Sequence, residues 1–243
     1  MGRAHEVRKA AMAKTAAKKS KVYSKFGRLI YLAAKNGEPD PEINLNLKKE
    51  IEKAKHQDVP ADVINRAIEK AKGGVGEDYT ATRYEGFGPN GSMFIVECLT
   101  DNPTRTFAEV RVAFTKNDFK MGVDGSVVHM FNNQAVFSYE GLNDEDTLDV
   151  LIMADCDVDD IEYEDGLTTV FAPITEYGKI RDTLTEAMPD VKFLEDGIAW
   201  VPQTTTTLTD EVDKINFERF KEKLDEIDDV QDLYHNIVTE DEG

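Results

Sequence analysis

From Lys21 the apolar positions recur at helical spacing: Val22, Phe26, Leu29, Ile30 and Ala33 fall on one face, and Asn36-Gly37 supplies a stop. Leu45, Leu47, Ile51 and Ala54 predict a second helix; Val63, Ile64, Ala67 and Ile68 predict a third, from Pro60 to Gly73-Gly74. Three short helices with brief connections make a small bundle, followed by a linker over 73–78. The pattern then changes. Met93 to Leu99 is a nearly unbroken apolar run of strand length. Asn102 is a good N-cap and Pro103 suits a first helical turn, so a helix follows with Phe107, Val110 and Phe114 on one face. Val127 to Phe131 reads as a second strand, which gives a β-α-β unit with a glycine-rich entrance.

Beyond Phe131 the period alternates. Ala135–Tyr139 predicts a strand and Glu145–Ala154 a helix with Leu148, Leu151 and Ile152 on one face. Two strands, Val158–Tyr163 and Leu167–Phe171, flank the turn signal Asp165-Gly166. A helix over Tyr177–Met188 and a strand over Val191–Val201 complete a βαββαβ order, the ferredoxin-like arrangement. A last helix, Asp210–Ile227, and strand, Val230–Ile237, have no partner of their own, so they are expected to complete the β-α-β unit. The expected fold is α+β: an N-terminal helical domain over 1–77, a discontinuous central α/β domain over 78–133 and 206–243, and a ferredoxin-like insertion over 134–205.

Charge adds what periodicity cannot. The formal net charge is −19, yet residues 1–76 carry 17 Lys/Arg against 9 Asp/Glu and residues 77–243 carry 12 against 39. Among the first 35 residues Glu6 is the lone acid against ten bases. Charge divided in this way points to an arm that meets a polyanion and a body that does not. Arg8, Lys9, Lys14, Lys18, Lys19, Lys21, Lys25 and Arg28 are the candidate phosphate contacts. On a helix, Lys14, Lys18, Lys21 and Lys25 share a face, and with Glu6 the only acid nearby no lacing by ion pairs is expected. Arg105, at the start of the central helix, faces two readings: a pair with Asp101 or Glu109, or a phosphate beside the helix N-terminus.

Other chemistry finds little purchase. Gly86-Phe87-Gly88-Pro89-Asn90-Gly91 spells G-x-G-x-x-G, but a strand follows it where a dinucleotide site needs a helix, so it reads as a turn. The acids from Asp155 to Asp160 lack the glycine and glutamate that a calcium loop requires at its sixth and twelfth positions. His5, His56, His129 and His235 show no metal-ligand spacing with Cys98 or Cys156. No catalytic residue, metal, cofactor or small-molecule substrate is expected. Two cysteines and the lack of any apolar stretch of membrane-spanning length suit a reduced, cytoplasmic setting. A basic N-terminus also has the look of a transit peptide, although it runs straight into a packed helix.

Several segments carry a resemblance. Arg83-Tyr84-Glu85-Gly86-Phe87-Gly88-Pro89, Glu97-Cys98-Leu99-Thr100-Asp101-Asn102, Arg105-Thr106, Glu109-Val110-Arg111 and Gly125-Ser126-Val127 resemble the YebC/PmpR family of probable transcriptional regulators and translation factors. The chain departs from it at Gly2-Arg3-Ala4-His5-Glu6, where relatives carry a tryptophan, and at Pro103, where relatives often carry a base. The resemblance implies a three-domain, non-enzymatic factor that binds nucleic acid. One version is a DNA-binding transcriptional regulator; another is a ribosome-associated factor that meets rRNA or tRNA. An enzyme with an interdomain site is a third reading, from a different class.

Overall fold

The structure is a computed structural model that describes residues 19–73 and 79–238. Three helices come first: α1 (Lys19–Lys35), α2 (Leu45–His56) and α3 (Ala61–Lys72). Asn44 ties the first two together. Its Oδ1 accepts the N–H of Leu47 at 3.0 Å and caps α2, while its Nδ2 donates to Ala33 O at 2.8 Å. Ile30, Tyr31, Leu47, Ile51, Ile64 and Ile68 fill the bundle centre.

Next come β1 (Thr80–Phe87), β2 (Met93–Thr100), α4 (Pro103–Lys116) and the two-residue β3 (Lys120–Met121). These join α7 (Glu211–Asp225) and β8 (Val230–His235), about ninety residues on, in an antiparallel sheet of order β3-β1-β2-β8. Helices α4 and α7 cover one face. Five rings make that core: Phe94, Phe114, Phe119, Phe217 and Phe220, with Phe114 and Phe220 4.8 Å apart between centroids. The glycines of the G-x-G string make room for it. A Cβ on Gly86 would lie 2.2 Å from Phe114 Cε1 and 2.8 Å from Lys120 O. The string itself ends β1 and turns into β2 through Pro89–Gly91, with Asn90 in the left-handed region at φ 54°.

Two expectations need correction. Thr80–Phe87 is a strand, so the order is ββα and not β-α-β. Val127–Phe131 is not a strand of this sheet: Val128–Met130 is a single 3₁₀ turn that leads into β4 (Phe131–Glu140). The cause is a side chain. The Glu85 carboxylate takes the N–H groups of Gly125, Val127 and Val128 at 2.9, 2.6 and 3.0 Å, and those donors are then lost to any strand ladder.

Strand β4 opens the second sheet, followed by α5 (Asp144–Met153), β5 (Asp160–Glu164), β6 (Leu167–Ala172), α6 (Tyr177–Ala187) and β7 (Phe193–Pro202). Its order, β5-β6-β4-β7, with antiparallel neighbours throughout, is the ferredoxin-like arrangement. Phe137, Tyr139, Leu151, Val170, Ile180 and Leu184 are buried between sheet and helices. In α5 only part of the expected apolar face turns inward. The Tyr139 hydroxyl meets Thr147 Oγ1 at 2.8 Å, which sets Thr147 and Leu151 against the sheet and leaves Leu148 and Ile152 outside. The two sheets meet where Ile95, Val127, Phe131, Trp200 and Tyr234 pack together. The fold is α+β, three helices followed by two antiparallel sheets.

Candidate nucleic-acid interface

The basic positions divide into two groups. Arg8, Lys9, Lys14 and Lys18 lie outside the described residues, as does the side chain of Lys19. Lys21, Lys25 and Arg28 follow at spacings of four and three along α1, and each has a partner within the chain. Lys21 Nζ sits 2.8 Å from Asp225 Oδ1. Lys25 Nζ donates to Asp232 Oδ2 at 2.7 Å and to Gln231 O at 3.2 Å. Arg28 donates to Leu99 O at 3.0 Å and Asp228 O at 2.7 Å, and its Nη1 lies 3.0 Å from Asp229 Oδ1. One face of α1 therefore rests on the turn between α7 and β8. The expectation that nothing would lace these bases holds only for nearby sequence: the acids arrive from about two hundred positions away.

Asp229 is the centre of this contact and is 2% exposed. Its Oδ2 accepts from Thr100 Oγ1 at 2.9 Å, Thr106 Oγ1 at 2.7 Å and Arg105 Nη2 at 2.7 Å. Burial alone would raise its pKa, but the bonds from Arg105, Thr106 and Thr100 and the charge of Arg28 outweigh it and hold the carboxyl below its ordinary value. Arg105 also bonds Asp101 at 2.8 Å. Hydrogen bonds to Asp229 and then Asp101 raise the pKa of its guanidinium. Of the two readings of Arg105, pairing with Asp101 is the one observed, with Asp229 as a second partner that the sequence did not suggest.

Glu85, also 2% exposed, is a second buried carboxylate. Besides its three backbone donors it has Arg83 Nε at 3.3 Å, and Arg83 lies over the Trp200 ring at 5.4 Å. Trp200 Nε1 in turn donates to Glu97 Oε1 at 2.8 Å. Burial raises the Glu85 pKa less than the backbone donors and Arg83 lower it, so the group stays ionised below the usual carboxylate range. This chain of contacts clamps the first sheet to β7 of the second. The bundle touches the helix that packs on the second sheet: Lys53 Nζ lies 5.2 Å from the Tyr177 ring centre on α6, and Arg181 Nη1 is 3.9 Å from Glu52 Oε2.

Among the described residues there is no group of three or more His, Cys, Asp or Glu side chains that could hold a metal, and no helix long and apolar enough to cross a membrane. Cys98 is buried, and burial with the nearby Asp229 charge pushes its thiol up to about 12. The sequence singled out Arg105 and the Thr100-Asp101-Asn102 string but missed Asp229, their common partner. An acid in a helix–strand turn looks like solvated surface until the strand's neighbours are known.

Residues 79–237 match the family model for the TACO1/YebC second and third domain, and residues 3–74 match that for the TACO1/YebC protein N-terminal domain. The chain belongs to the TACO1/YebC family. A probable transcriptional regulatory protein of Alteromonas mediterranea is 56% identical to it, over 98% of this chain and 99% of the relative. Another, from Pseudoalteromonas atlantica, is 56% identical over the whole of both. The crystal structure of a conserved hypothetical protein from Aquifex aeolicus superposes with a TM-score of 0.79 at 30% identity, covering 95% of this chain and 96% of that one. In this TACO1/YebC chain, the quoted motif residues Glu85, Thr100, Asp101, Arg105 and Thr106 all lie in the two carboxylate networks just described.

Proposed function

We infer that the protein regulates gene expression by binding DNA through its basic N-terminal segment, and acts by binding, not turnover. The relatives' naming as probable transcriptional regulatory proteins supports the regulatory part. The observation that carries the DNA part is the charge separation. Residues 1–76 hold 17 bases against 9 acids, and the rest of the chain 12 against 39. Phosphates are attracted to one end and repelled by the other. Arg8, Lys9, Lys14, Lys18 and Lys19 are the first contacts. Lys21 and Lys25 join them when a polyanion displaces the carboxylates of Asp225 and Asp232, while Arg28 keeps to the buried Asp229. Arg105 stays with Asp229. The protein works in the cytoplasm and needs no cofactor for this.

The Lys21–Asp225 pair has an exposed carboxylate and, as a surface pair, is worth about 0–1 kcal/mol, so phosphates compete for Lys21 first and for Lys25, whose pair with Asp232 is part-buried, second. Replacing Asp225 and Asp232 by Asn together is expected to raise affinity for duplex DNA by roughly threefold to tenfold at low salt. Fluorescence anisotropy of a labelled duplex measures it, and unchanged affinity would mean that those acids do not compete. The reading itself is tested by a salt titration with labelled duplex DNA and a labelled RNA hairpin of equal length. DNA binding that falls steeply as salt rises is expected. Binding to the hairpin alone would move the function to structured RNA, and no binding to either would remove the reading.

A further inference from the structure

The acidic body carries an apolar surface of its own. From Gly122 to Gly178 the chain contains fourteen Asp and Glu and no Lys or Arg. Helix α5 lies within this run. Its exposed side carries Leu148, Ile152 and Met153, which are 43%, 61% and 89% exposed. Leu148 and Ile152 stand one turn apart, so their side chains adjoin. Tyr163 adds to them: it is two residues from Ile161 on β5, hence on the same helix-covered side of the sheet, and is half exposed. The same side of α5 also presents Glu145 and Asp149. Lys179, the first base after the run, approaches Asp155 and Glu176 at 3.9 Å, and α5's own acids have no ion pair among the described residues.

We propose that this face of α5 is a docking surface for a basic segment of a partner protein, one that carries lysine or arginine together with aliphatic side chains at helical spacing. The carboxylates exclude nucleic acid, whose phosphates they repel, and the apolar pair requires apolar contact to leave water. A basic amphipathic protein segment satisfies both conditions. The first-turn acids Asp144, Glu145 and Asp146 also suit the N-terminal end of α5, but that role gives no reason for Leu148, Ile152 and Met153 to face water. The acidic face differs in charge from the basic segment, so the two select different partners, a basic protein and a nucleic acid.

The test uses the full chain and two labelled peptides of equal charge, one with Lys and Leu at helical spacing and one with Ala in place of each Leu. The Leu peptide is expected to bind about tenfold or more tightly than the Ala peptide. Replacing Leu148, Ile152 and Met153 by Ser should remove that advantage. A second variant, Asp144→Asn with Glu145→Gln and Asp149→Asn, should weaken both peptides at low salt. All six side chains are exposed, and circular dichroism should show parental folding. Equal binding of the two peptides, or variants that bind as the parent does, would overturn the proposal. So would self-association of the parent that the Ser substitutions abolish, since a second copy would then cover the face.

Discussion

Replacing Asp229 by Ala is expected to destabilise the protein by about 3–5 kcal/mol, because it leaves the Arg28 and Arg105 guanidinium groups and two buried threonine hydroxyls without their shared acceptor. For a chain of this size the melting temperature should fall by roughly 6–20 °C, readable by scanning calorimetry. The loss should depend on pH. The folded pKa of Asp229 is depressed, so its contribution is complete above the ordinary carboxylate range and disappears as pH falls through the folded value. The gap between parent and variant should thus be full above about pH 5 and narrow below about pH 4. His235 adds a background common to both proteins. Burial and the nearby Lys221 lower its pKa to about 4, so the unfolded chain binds a proton first and stability declines as pH drops from about 6.5. A difference under about 1 kcal/mol at neutral pH would show that Asp229 does not join the three segments as described.

Glu85→Gln carries the second large effect, about 2–4 kcal/mol. The amide keeps one acceptor oxygen but presents an NH₂ group where Val127 and Val128, or Gly125, now donate. It also discharges the partner of Arg83, whose guanidinium covers Trp200. The damage should be local first. Hydrogen exchange at Gly125, Val127 and Val128 should speed up by about tenfold or more, while amides in the bundle core near Leu47 and Ile51 keep their protection. Uniform acceleration across the chain would mean that Glu85 supports the whole fold and not the clamp between the sheets.

Much of the architecture was legible because it rests on local rules. Asn102 before Pro103, the Asp165-Gly166 turn and the helical period of Ile30, Ile51 and Ile64 each point to the element that forms. What was hidden depended on distant partners. Val127–Phe131 has the composition of a strand, but Glu85, forty positions earlier, takes its backbone donors. Leu148 and Ile152 have helical spacing with Leu151, yet a hydroxyl pair between Tyr139 and Thr147 decides which side of α5 turns inward. The basic residues show the same limit. Lys21, Lys25 and Arg28 belong by spacing to the stripe that includes Lys14 and Lys18, but the acids on which they rest are supplied by the α7–β8 turn.

The central claim is that the basic N-terminal segment, not the acidic body, holds DNA. The most direct measurement is the salt dependence of duplex binding by the parent and by a variant with Arg8, Lys9, Lys14 and Lys18 all replaced by Gln. Seven phosphate contacts, from these four with Lys19, Lys21 and Lys25, give a slope of log K against log salt of about −6, and the variant should retain about −3. Its affinity at low salt should drop by roughly a hundredfold or more, with an unchanged melting temperature. A variant that binds as tightly as the parent, with the same slope, would contradict the account.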